Sequence, residues 1–154
     1  MTEPAAAKKY THREFAVSCF NQVWELLDKP LLSELEKDDM VHLCHASFWH
    51  WAQVPKHTET NLSIGYWQLA RVYAVLEQGE NALRYARKCM EVSLTPDIPP
   101  FYQAYAYEAE ARAYAVSGLS EEAAAAMEQA RLLADLIEEA EDREALLRDL
   151  NSIS

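Results

Sequence analysis

Along most of this chain apolar residues recur at spacings of three and four, the period of a helix buried on one side. Phe15, Cys19, Trp24 and Leu27 form a first, loose stripe, which predicts a helix from Thr11 to Asp28 that Pro30 ends. Ser33-x-x-Glu36 reads as a capping box opening a second helix that continues to about Gln53, before Pro55. The stretch Met40–Val54 breaks the one-sided pattern, because Val41, Leu43, Cys44, Phe48, Trp49, Trp51 and Val54 leave no polar face. A helix apolar on every side is expected between neighbours rather than at the surface. A third helix is predicted from around Thr60 to Gln78, with Gly79 as the left-handed turn residue at its end, and a fourth from Glu80 to Leu94.

Thr95 to Pro100 holds three prolines and is the clearest connector in the chain. Beyond it a fifth helix runs to Ser117 and stops at Gly118. Ser120 is expected to cap a sixth that reaches about Glu139. A short seventh from Asp142 to Ile153 carries Leu146, Leu150 and Ile153 on one side. Residues up to about Tyr10 read as a flexible tail. No Val-, Ile- or Thr-rich alternation suggests a strand, half of the 154 residues are hydrophobic, and three are Gly. The expected fold class is therefore all-α. Short turns between seven helices predict antiparallel neighbours in one domain, 11–154.

One pattern in that domain repeats. Tyr66-x-x-Leu69-Ala70-x-x-Tyr73, followed by Ala82, Ala86 and Cys89, returns 41 residues later as Tyr107-x-x-x-Ala111-x-x-Tyr114 with Ala123, Met127 and Ala130. Small residues at such positions let two helix backbones approach, and a large neighbour fills the space beside them. The first copy resembles a tetratricopeptide repeat, whose period is about 34 residues. The second fits less closely, since Glu110 stands where Leu69 stands and the interval is longer by a Pro-rich connector or two helical turns. The two units cover 60–94 and 101–139. The pair at 11–54 is at best a divergent third unit, and 142–153 would cap the exposed end.

The resemblance implies a right-handed stack of antiparallel hairpins in which the first helix of each hairpin lines a concave groove. It implies a protein- or peptide-binding or assembly module and no cofactor. The groove-facing offsets carry over to Trp67 and Arg71 in the first unit, and to Tyr105, Glu108 and Arg112 in the second. Two guanidinium groups beside two aromatic rings would receive a carboxylate or a peptide terminus, with Glu108 holding Arg112 in position. Set against this, Glu108 and Arg112 at i and i+4 can simply form a surface ion pair, worth about 0.3–0.5 kcal/mol. The runs His42-x-x-His45-Ala46-Ser47-x-x-His50-Trp51 and Gly65-x-Trp67-Gln68-x-x-Arg71-Val72-Tyr73 also resemble a group of small uncharacterised bacterial proteins, which implies no mechanism.

The alternative function is a metal-binding enzyme or sensor built on the second helix. Asp38, Asp39, His42 and His45 lie at spacings of three and four along one flank, the arrangement of carboxylate and imidazole ligands in helical metal sites. Half-burial of His42, His45 and His50 would keep them neutral, the form that binds a metal. No matching motif stands on another helix, so hydrogen-bonded core histidines are the favoured account. Cys44 and His45 are adjacent and diverge by about 100° on a helix, which rules out a nucleophile–base pair. Three isolated glycines make no phosphate loop.

Charge and cysteine usage narrow the partners. The formal charge is −11, with a net of −7 between Leu119 and Leu150, which disfavours nucleic acid as a partner. The small basic patch of Arg84, Arg87 and Lys88 is better matched to that acidic third than to phosphate. Three scattered cysteines, Cys19, Cys44 and Cys89, fit reduced thiols in a cytoplasmic protein, and neither a secretory signal nor a membrane span is expected. A protein or peptide partner is the leading expectation. Pairing of two chains through the ends of a short stack is a further one.

Overall fold

The computed structural model describes residues 7–154. Within that span the chain forms seven helices: α1 His12–Leu27, α2 Glu34–Gln53, α3 Glu59–Val75, α4 Gly79–Ser93, α5 Pro100–Val116, α6 Ser120–Ala134 and α7 Ala140–Asn151. No strand occurs among the described residues. Of the expected N-terminal tail, residues 1–6 lie outside them, and Ala7 to Tyr10 are exposed and outside any helix.

Local chemistry accounts for most boundaries. The Thr11 hydroxyl accepts from the Glu14 N–H to open α1, and Ser33 and Glu36 form the reciprocal capping box of α2. Thr58 and Asn61 make a second such box at α3, with Asn in the place usually taken by Glu or Gln. Pro100 occupies the first turn of α5, where its missing N–H leaves no bond unmade. Gly118 ends the third hairpin's first helix with φ +76°.

Four expectations need correction. The left-handed residue after α3 is Glu77 (φ 60°), two positions earlier than expected, because α3 ends at Val75, and Gly79 is instead the first residue of α4. Ser120 is likewise the first residue of α6 and makes no cap, and α6 stops at Ala134. The buried stripe of α1 is Ala16 and Val23, while Phe15 is 42% exposed. Ala16 sits under α2 because it lacks bulk: the Ser47 hydroxyl reaches its carbonyl at 2.8 Å. Lastly, α2 is not enclosed. It buries Met40, Cys44 and Ser47, yet Trp49 is 56% exposed and His42 is exposed.

Consecutive helices pack as hairpins, α1 with α2, α3 with α4 and α5 with α6. The hairpins stack through α2–α3, α4–α5 and α3–α5, and α7 closes the end against α5 and α6. The small residues of the repeated pattern form the seams. Ala70, Ala74, Ala82, Ala86, Cys89, Ala106, Ala109 and Ala113 are buried together between α3, α4 and α5. Such a seam brings backbones close and gives van der Waals contact along the whole interface. Gly65 serves the same purpose between α2 and α3, where a β-carbon would lie 2.7 Å from the Phe48 ring. At the two ends larger apolar residues take over, Val23, Met40, Leu69 and Val72 at one and Ile137, Leu146 and Leu150 at the other. No helix among the described residues is long and apolar enough to cross a membrane.

Candidate functional site

Lateral packing of α3 on α5 places equivalent positions of the two units face to face, and Glu108 is the centre of the result. Its side chain is fully buried. Burying a carboxylate costs several kcal/mol unless donors replace its water, on the order of the penalties known for unpaired ions. Here they do. Oε2 accepts from the Trp67 indole N–H at 2.8 Å, and Oε1 accepts from Arg71 at 3.2 Å and from Arg112 Nε at 2.9 Å. Glu108 and Arg112 do not form the exposed pair that their i, i+4 spacing alone would allow. They are the core of a four-residue junction between helices.

The last helix completes the junction. Arg112 also donates to the backbone carbonyl of Asp149 at 3.0 Å and to the Ser152 hydroxyl at 2.8 Å. Tyr105 donates its phenolic O–H to Asp149 Oδ2 at 2.8 Å, and the second Asp149 oxygen lies 3.6 Å from Arg71. Burial and then the bond to Asp149 push the Tyr105 phenol well above its usual range, so it stays a donor. Two arginines and two carboxylates balance, leaving the cluster neutral. Arg71 and Arg112 keep 17% and 14% of their side chains exposed.

Beside this junction lies a cavity of about 300 Å³. Phe20 and Trp24 of α1, Ser63, Ile64 and Trp67 of α3, and Phe101, Tyr102 and Tyr105 of α5 line it, with Asp149 of α7 at one side. The first helix of every hairpin thus contributes a wall. The rings form a continuous series: Trp24 stacks on Trp67 at 5.4 Å, and Tyr105 meets Trp67 edge-on at 5.5 Å and Phe101 at 5.0 Å. The size and apolar lining are those of a site for one small ligand or one anchoring side chain.

The structure therefore brings together all five residues carried over from the repeat register: Trp67, Arg71, Tyr105, Glu108 and Arg112. Phe20, Trp24, Ile64, Phe101, Tyr102, Asp149 and Ser152 were missed. Ile64 was within reach, since it stands 41 residues before Tyr105, the interval that relates Arg71 to Arg112. Phe20 and Trp24, at i and i+4, were a weaker signal on a helix outside the recognised repeat. Asp149 and Ser152 gave none, because their role follows from where α7 lands.

The second helix disperses its candidates. His45 Nε2 lies 2.7 Å from the Tyr73 hydroxyl, and its ring packs edge-on against Tyr73 and Tyr85. Burial first, and the neighbouring His42 second, hold its pKa below the ordinary imidazole range. Asp38, Asp39 and His42 are exposed, and His50 turns instead to His12, Nδ1 to Nδ1 at 2.8 Å. Among the described residues no group of three or more His, Cys, Asp or Glu side chains is placed to hold a metal ion. Cys44 and Cys89 have thiols pushed up to about 12 by burial, which keeps them protonated and unreactive. No family model, curated protein or solved structure matches the chain.

Proposed function

We propose that the protein is a non-enzymatic binding module. It captures a partner peptide or helix on the face built by α1, α3 and α5, in the manner of the tetratricopeptide repeats that its central hairpins resemble. The observation that supports this reading is the aromatic cavity, walled by the first helix of each hairpin. Contact area inside that cavity, supplied by Trp24, Trp67, Tyr102 and Tyr105, is the main source of affinity. Both guanidinium groups are already engaged by Glu108 and α7, so Arg71 and Arg112 act chiefly by fixing α3, α5 and α7 around the cavity.

A displayed peptide library selected on the immobilised protein tests the reading. Enriched peptides should lose at least tenfold in affinity for Trp24→Ala and for Tyr102→Glu, two half-buried wall positions outside the Glu108 junction. Circular dichroism melts establish that both variants remain folded. Equal binding to wild type and to both folded variants would place the binding surface somewhere else.

A further inference from the structure

Resting on the reading of the α1/α3/α5 cavity as a ligand site, we infer that the group it takes is an alkylated ammonium ion. Two features of the cavity, independent of one another, carry this.

The first is the wall chemistry. Aromatic rings present a negative quadrupole face, and a cation within about 6 Å of several such faces is attracted by each, most strongly by Trp. Six of the nine lining residues are aromatic, two of them Trp, drawn from three separate helices. A purely aliphatic anchor would be served equally well by leucines and valines, which this chain uses freely at its two ends but not here. Arg71 already illustrates the affinity of these rings for positive charge, with its guanidinium 5.7 Å from the Trp67 ring centre.

The second is Asp149. It stands on the cavity wall with 31% of its side chain exposed. One of its oxygens accepts from Tyr105, whereas the other makes no hydrogen bond among the described residues. Its nearest cation, on Arg71, is 3.6 Å away and is shared with the fully buried Glu108. A partly exposed carboxylate on a wall lined largely by aromatic side chains complements a cation whose charge is spread over methyl groups. Such an ion gives up little hydration on entry. A volume of about 300 Å³ admits a trimethylammonium head with a short tether, either free or at the tip of a methylated lysine side chain.

The probe is choline, titrated by calorimetry against its uncharged carbon isostere, 3,3-dimethyl-1-butanol. Indole N–H resonances of Trp24 and Trp67 report where each one binds. We expect choline to bind at least tenfold more tightly than the isostere and to shift both resonances. In Asp149→Asn the preference should fall below threefold while isostere binding is retained. Tyr102→Leu, which leaves the Glu108 junction untouched, should weaken choline at least threefold and serves where the Asp149 variant does not fold. A trimethyllysine peptide that outcompetes choline assigns the group to a partner protein, and choline winning assigns it to a free metabolite. Equal or tighter binding of the isostere overturns the ammonium assignment but keeps an apolar anchor site. If neither probe shifts the Trp resonances, the ammonium assignment falls, and peptide capture stands or falls on the library selection.

Discussion

Glu108 shows how far a single side chain can be read before its partners are known. The i, i+4 relation to Arg112 was visible in the sequence, and so was the shared register of Arg71 and Arg112. What spacing did not show is burial, because burial depends on α3 lying against α5 and on α7 packing against α5. The junction also makes a quantitative prediction. Glu108→Ala leaves two largely buried guanidinium groups and an indole N–H without their acceptor. Loss of one partner from a buried pair costs about 3–5 kcal/mol. Glu108→Gln, which keeps one carbonyl acceptor, should cost less. Urea unfolding of the three proteins checks the order, and a loss under about 1 kcal/mol for the alanine variant would mean that the arginines find water or Asp149 instead. That outcome would also weaken the case for a pre-shaped cavity wall.

At the scale of elements, the helices were legible where their ends carry chemistry and blurred where packing sets them. Ser33-x-x-Glu36 opened α2 as expected, and Gly118 closed α5, because each acts within four residues of chain. The face that α1 buries was misread by one residue. Large side chains drew attention to Phe15, while the contact with α2 requires the small Ala16. Gly79 is a case of the same kind. It looks like a turn glycine, yet its conformation is ordinary helix, and what requires it is space. A β-carbon there would sit 2.2 Å from the Ser117 hydroxyl and 3.2 Å from the Ser117 β-carbon. On helix propensity alone Gly→Ala gains up to about 1 kcal/mol. We expect the opposite sign, with Gly79→Ala destabilising by about 1–2 kcal/mol, the range for overpacking. Adding Ser117→Ala removes the nearest atom and should restore part of the loss. Thermal melts of the single and double variants decide it, and a Gly79→Ala protein as stable as wild type would show that the α3–α4 and α5–α6 turns can move apart.

Over the whole molecule, the cavity depends on helices that are far apart in sequence, and α7 is the element that couples them. Leu146 and Leu150 anchor it fully buried against Ala104, Ala130 and Ala134. The neighbouring Asp149 and Ser152 then hold Tyr105 and Arg112, and through Glu108 the contact reaches Trp67 on α3. In a stack whose units contact mainly their neighbours, a core defect at one end normally stays near that end. This chain of bonds predicts otherwise. Leu150→Ala should cost about 2–5 kcal/mol, as buried leucine truncations do. It should also speed hydrogen exchange of the Trp67 indole, two helices away. Val23→Ala, a fully buried truncation in the opposite end cluster, supplies the comparison. With urea added to bring the variants to matched global stability, the Trp67 indole should exchange several-fold faster in Leu150→Ala than in Val23→Ala. Equal rates would mean that exchange proceeds by global opening and that α7 caps the stack without shaping the cavity. A faster rate in Leu150→Ala alone would show that the fit of the last helix sets the geometry in which α1, α3 and α5 meet a ligand.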